Sequence, residues 1–114
     1  MKDDRVYALH MQECIDKIAK YTSGGRAAFL ADALIQDGVT RNLQILAESS
    51  RRLSTSAKQV RPEIDWKNIA GLRNVVVHDY LGLELDQIWD IVEKDLPILQ
   101  RAVAAICAHL ETER

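Results

Sequence analysis

The sequence predicts an all-α fold, an antiparallel bundle of four or five helices, on three observations. Apolar residues recur at steps of three and four along nearly the whole chain, the spacing that gathers them on one stripe of a helix. No apolar–polar alternation competes with that pattern. The run Val75-Val76-Val77 is too short to set a strand in a helical context. The composition is 47% hydrophobic and 28% charged over 114 residues, with five glycines and two prolines. Such a profile fits one globular domain over residues 1–114 and excludes collagen-like, disulfide-scaffold and disordered classes.

Taken in order, Tyr7, Met11, Cys14, Ile18 and Tyr21 form one stripe, which predicts a helix from about Asp4 to Tyr21. Thr22-Ser23-Gly24-Gly25 ends it, because paired glycines favour non-helical backbone. A short helical piece is expected over Arg26 to Leu30. A longer helix follows, with Ile35, Val39, Leu43, Leu46 and Leu53 on its apolar stripe. Gly38 sits inside that pattern at a cost of about 1 kcal/mol relative to alanine, which leaves a break there open. Ser54-Thr55-Ser56 weakens the end of this helix, and Arg61-Pro62 belongs to a connection, since the residue before proline avoids the α region. Asp65 reads as the N-cap of a helix that carries Trp66, Ile69 and Leu72 and runs to about His78. Gly82 marks a turn. The last helix starts near Glu84, with Ile88, Val92, Leu96, Leu99, Val103, Ile106 and Leu110 on its stripe. Pro97 removes a backbone donor and is expected to bend it.

The formal net charge of −2 conceals an uneven distribution. Residues 41–73 carry seven basic side chains against three acidic ones, a net +4, between flanks of −1 and −5. This middle segment either solvates a helix face or presents a local anion-binding surface, in which case Arg51, Arg52, Lys58 and Arg61 are candidates to contact a nucleic acid. Cys14 and Cys107 lie far apart and make no metal-spaced pair, so they read as small buried thiols in a reducing compartment. No apolar h-region follows Met1-Lys2-Asp3-Asp4, and no stretch approaches the ~18 apolar residues of a membrane helix. A cytoplasmic protein with no membrane association is expected.

No metal site is expected. His10, His78 and His109 are scattered, and none has a histidine or cysteine neighbour at ligand spacing. There is no glycine-rich phosphate loop, and Ser49, Ser50 and Ser54 lack a nucleophile context. The informative segment is Gly71-Leu72-Arg73-Asn74-Val75-Val76-Val77-His78-Asp79-Tyr80. Its arginine offers a fixed fork of donors that matches a phosphate, and its histidine exchanges a proton near neutral pH. Together they are a minimal kit for metal-free RNA cleavage. The histidine draws the proton from the 2′-hydroxyl or gives one to the leaving oxygen, and the arginine holds the charge that builds on phosphorus. Five positions put Arg73 and His78 about 140° apart on an ideal helix, whereas Asn74 and His78 share a face. Either the helix ends before His78, or a two-fold partner brings a second copy of each group into one cleft. The alternative is structural: Arg73 pairs with Glu48, and His78 caps a helix end.

Arg73-Asn74-x-x-x-His78-x-Tyr80 matches the R-x4-H-x-Y motif of the HEPN superfamily and resembles its branch of HepT-like toxins. The likeness covers nearly the whole chain. Arg41-Asn42-Leu43 with Leu46-Ala47-Glu48 resembles the family's middle helix, although relatives often carry glycine before that glutamate. Pro62, Ile64 and Trp66 resemble the approach to the motif, and Leu85-Asp86-Gln87-Ile88-Trp89 with Leu96-Pro97 resembles the last helix. The resemblance implies a homodimeric, metal-independent endoribonuclease without a cofactor. In it Arg73 is the phosphate clamp, His78 the general acid/base and Asn74 a supporting polar group. It also implies a partner, a minimal nucleotidyltransferase antitoxin of the MntA type, which transfers AMP from ATP to Tyr80 and silences the toxin of a type VII toxin–antitoxin pair. The other function class compatible with these residues is a non-catalytic nucleotide-binding or scaffold subunit of such a nucleotidyltransferase.

Overall fold

Helix α1 (Asp4–Tyr21) buries Ala8, Met11, Cys14, Ile15 and Ile18. The anticipated stripe therefore holds at Met11, Cys14 and Ile18, while Tyr7 and Tyr21 at its ends reach the surface. In this computed structural model residues 4–78 and 84–112 are described, residues 74–78 by their helical backbone alone. Gly25 ends the α1 turn with φ of 91°, a left-handed conformation that a side chain would strain. Helix α2 (Arg26–Ala31) follows. The Asp32 carboxylate then caps α3 (Ala33–Arg52), accepting from the backbone N–H of Leu34 at 2.9 Å and of Ile35 at 3.4 Å.

Helix α3 runs unbroken through Gly38. A Cβ at that position would lie 3.1 Å from both Cδ2 and Cε2 of Tyr21, so the glycine makes room for an aromatic ring and does not mark a break. Val39, Leu43 and Leu46 are fully buried, and Leu53 nearly so. Two buried polar side chains of α3 are satisfied within the helix. Asn42 donates to the Gly38 carbonyl at 2.9 Å, and Ser50 donates to the Ala47 carbonyl at 2.7 Å.

The Ser54-Thr55-Ser56 run does more than weaken a helix end. Ser54 Oγ accepts from the Ala57 N–H at 3.1 Å and caps a short helix, α4 (Thr55–Lys58), that the apolar spacing did not reveal. The Asp4 carboxylate in turn accepts from Ser54 N at 2.9 Å and Oγ at 2.6 Å, tying the start of α1 to this cap. Helix α5 (Trp66–His78) begins as expected, with Asp65 Oδ1 accepting from the Asn68 N–H at 3.1 Å. Trp66 Nε1 donates to the carbonyls of Lys58 and Arg61, each at 3.1 Å, and so pins the connection containing Pro62.

Helix α6 (Leu85–Asp90), a π-helical turn (Ile91–Asp95) and α7 (Leu96–Thr112) form one continuous rod. The disturbance expected at Pro97 appears as the wider turn just ahead of it. Proline has no N–H to donate four residues back and its ring crowds the carbonyl there, and a widened turn relieves both. Ile88, Leu96, Leu99, Val103 and Ile106 are buried along this rod.

Helix α3 packs between α1 and α5, and α7 packs on α1, giving four long helical rods with α2 and α4 as short links. The all-α bundle is thus as expected, and no strand occurs among the described residues. Phe29 of α2 packs on Trp89 of α6 with ring centroids 5.6 Å apart, and Arg26 pairs with Asp86 beside them. Both cysteines are free thiols; Cys14 is buried as expected, whereas Cys107 is only half-buried. Burial pushes both thiols above their ordinary pKa. Among the described residues no helix is long and apolar enough to cross a membrane. Gly82 lies outside the described residues.

Candidate functional site

On α3, Arg41, Gln44, Ile45, Glu48, Ser49 and Arg52 recur at steps of three, one, three, one and three, and therefore share a face. That face, together with Tyr7 of α1 and Arg73 of α5, lines an open cleft of about 400 Å³. Three arginines and one glutamate line it, a local excess of positive charge.

Glu48 is the hub. Its Oε1 lies 3.0 Å from Arg51 Nη1 and 3.5 Å from Arg73 Nη1, and its Oε2 lies 3.3 Å from Arg52 Nε. Burial pushes the Glu48 carboxyl up, but hydrogen bonds from Arg51 and Arg52 and the charges of Arg51 and Arg73 outweigh it and hold the group below its ordinary value. Glu48 thus stays ionised through the neutral range. The Arg52 guanidinium also lies 6.0 Å over the centroid of the Tyr7 ring, within the range of a cation–π contact.

Arg73 joins this cluster with its side chain 51% exposed, at the surface of the cleft and in contact with Glu48. The structural alternative for this arginine, a pair with Glu48, is therefore present in the geometry. Exposure on that scale still leaves the guanidinium fork open to solvent. The α5 helix continues to His78, so the helix does not end before the histidine. Asn74 and His78 sit on its last two turns, and their side chains lie outside the described residues, as does the whole of Tyr80.

Of the four basic residues left between a helix-solvating and an anion-binding role, Arg52 lines the cleft and Arg51 holds the Glu48 carboxylate that lines it. Lys58 ends α4 and Arg61 lies in the connection to α5, where it faces Glu63 at 3.9 Å. His10 is exposed on α1 and His109 on α7. Among the described residues no group of three His, Cys, Asp or Glu side chains gathers where a metal ion could be held. Sequence reasoning missed Tyr7, Arg41 and Gln44 as cleft residues. The spacing along α3 was the available signal for Arg41 and Gln44; Tyr7 arrives from another helix and carried none.

A family model described as ribonuclease HepT-like matches residues 11–106. A relative from Methanocaldococcus jannaschii, named as a gamma-glutamylcyclotransferase and provisionally as an RNase, is 29% identical over 114 residues. That match takes in 99% of this chain and 51% of the relative, so the chain spans about half of that protein's length. A protein of Caldanaerobacter subterraneus subsp. tengcongensis, provisionally named an RNase, is 30% identical over 107 residues, covering 93% of this chain and 96% of the relative. One from Thermococcus cleftensis, provisionally named ribonuclease HepT, is 35% identical over 72 residues, or 63% of this chain and 66% of the relative. No solved structure matches the chain.

Proposed function

The chain belongs to the HepT-like ribonuclease family, and on that premise we propose that it is a metal-independent endoribonuclease, the toxin of a type VII toxin–antitoxin pair, acting in the cytoplasm as a homodimer. The observation that carries this reading is the placement of Arg73. It stands half-exposed in a cleft rich in arginine, on the helix that runs on to His78. Arg73 clamps the scissile phosphate through its planar fork of donors. His78 acts as general acid/base and Asn74 supports it through a polar contact. The 2′-oxygen, losing its proton to a base, bonds to phosphorus, and the bond from phosphorus to the 5′-oxygen breaks as that oxygen gains a proton. The products are a 2′,3′-cyclic phosphate and a 5′-hydroxyl. Five helical positions put Arg73 and His78 about 140° apart, so a cleft shared by two copies of α5 supplies the clamp and the imidazole together.

Tyr80 is the regulatory residue in this reading. An MntA-type nucleotidyltransferase joins the tyrosine oxygen to the α-phosphorus of ATP and releases pyrophosphate. The resulting AMP ester carries a negative charge that competes with RNA for Arg73.

Cleavage of RNA by the purified chain in EDTA, with His78→Ala as control, tests the proposal. Cleavage by the wild type and none by the variant is expected. A wild type that neither cleaves RNA nor carries an adenylate adduct by intact mass would overturn it. A second reading, a non-catalytic nucleotide-binding or scaffold subunit, is favoured by the hold of Glu48 on Arg73. It predicts RNA or nucleotide binding that His78→Ala leaves unchanged, with no cleavage by either protein.

A further inference from the structure

The cleft extends well beyond Arg73. Along α3, Arg41 lies about 10 Å to one side of the Glu48 level where Arg73 docks, and Arg52 about 6 Å to the other. Arg41 is exposed and makes no ion pair among the described residues. Arg52 meets Glu48 through Nε at 3.3 Å, and a guanidinium has further donors to offer a second acceptor. Between the arginines the lining is Gln44, Ile45 and Ser49, which brings no second carboxylate into the groove. One carboxylate against three guanidinium groups leaves unspent positive charge in a line, and a polyanion satisfies such a line better than a single small anion does.

We propose that this face of α3 is a track for an unpaired RNA strand, with Arg41 and Arg52 holding backbone phosphates on either side of the one clamped by Arg73. The inference rests on the ribonuclease reading above and names its substrate form. Attack by a 2′-hydroxyl needs that oxygen in line with the leaving 5′-oxygen, and the A-form geometry of a duplex holds it out of line. A reacting strand must therefore be unpaired or locally unwound at the cleft. Tyr7 is a positioning residue here, its ring underlying the Arg52 guanidinium.

The test is binding of a fluorescein-labelled single-stranded RNA oligonucleotide, and of the same strand annealed to its complement. Anisotropy would be read across salt from about 50 to 200 mM. The chain carries His78→Ala throughout, so that the probe stays intact. Removing one cation that neutralises a phosphate flattens the plot of log affinity against log salt by about 0.7 for a single strand. Arg41→Ala and Arg52→Ala should each flatten it by that amount and their combination by about 1.4. Arg41→Lys should keep the parental slope, and so should Arg101→Ala on the exposed side of α7. Parental slopes in Arg41→Ala and Arg52→Ala, with RNA still bound, would overturn the track and leave the ribonuclease reading standing. Tighter parental binding to the duplex, with the same flattening there, would overturn its assignment to an unpaired strand. A parent that binds neither probe would overturn both readings.

Discussion

Gly38→Ala offers a sharp test of how α1 and α3 fit together. By helix propensity alone, alanine in the interior of a helix of 20 residues should stabilise the chain by about 1 kcal/mol. The tertiary packing opposes this. A Cβ on residue 38 falls 3.1 Å from two ring carbons of Tyr21, against an optimal carbon–carbon separation of about 3.5–4.0 Å. The ring must retreat by several tenths of an ångström, and at 39% exposure it has solvent on one side into which to move. Retreat weakens its dispersion attraction to the α3 backbone beside it and widens the apolar depression that it lines with Leu34 and Ile35. The two effects are of similar size, so Gly38→Ala should change stability by less than about 0.5 kcal/mol in the wild type. In a Tyr21→Ala background the clash is gone, and the same change should stabilise by the full ~1 kcal/mol. The expected coupling of roughly 0.5–1.5 kcal/mol lies within the range for residues in contact. Urea unfolding at one fixed protein concentration, followed by the fluorescence of Trp66 and Trp89, would read it as a difference of about 0.25–0.75 M between the midpoint shifts in the two backgrounds, for a slope near 2 kcal/mol/M. A stabilisation of ~1 kcal/mol in both backgrounds would refute the reasoning.

The remaining predictions concern the cleft and the α4–α5 connection. Glu48→Gln removes the carboxylate that competes with phosphate for three arginines, so single-stranded RNA should bind several-fold more tightly by anisotropy, and weaker binding would argue that Glu48 is needed to aim Arg73. Because the folded Glu48 carboxyl is held below its ordinary value of 4.5, its contribution to stability is present above that pH and is lost as pH falls through the lower folded value. The stability gap between wild type and Glu48→Gln should therefore narrow in urea titrations on acidification below 4.5, and a gap that widens would contradict the shift. Trp66→Phe leaves the Lys58 and Arg61 carbonyls without the indole donor and should cost about 1–2 kcal/mol, seen as a lower thermal midpoint. Asp65→Ala strips the cap from α5 at a cost of about 1 kcal/mol, while Asp65→Asn should retain most of it.

Much of the bundle was legible in the residues because helical periodicity is a local property. The stripe from Ile88 to Leu110 states its own register, and Asp65 states its own cap, without reference to any other helix. The local grammar of Ser54 was there to be read as well, but a helix of four residues has too little apolar spacing to announce itself. Pro97 located a disturbance in the last rod, yet whether a kink or a π-helical turn absorbs it depends on how the rod packs against α1. The motif residues of the candidate site stood out because their chemistry is unusual in so short a run. That Arg73 meets Glu48 was one of two readings the residues left open, and only the packing of α5 on α3 decided it. Tyr7 over Arg52 and Tyr21 over Gly38 had no signal in the chain at all. Each pair joins residues from different helices, and separation along a sequence says nothing about which faces a bundle will bring within a few ångströms of one another.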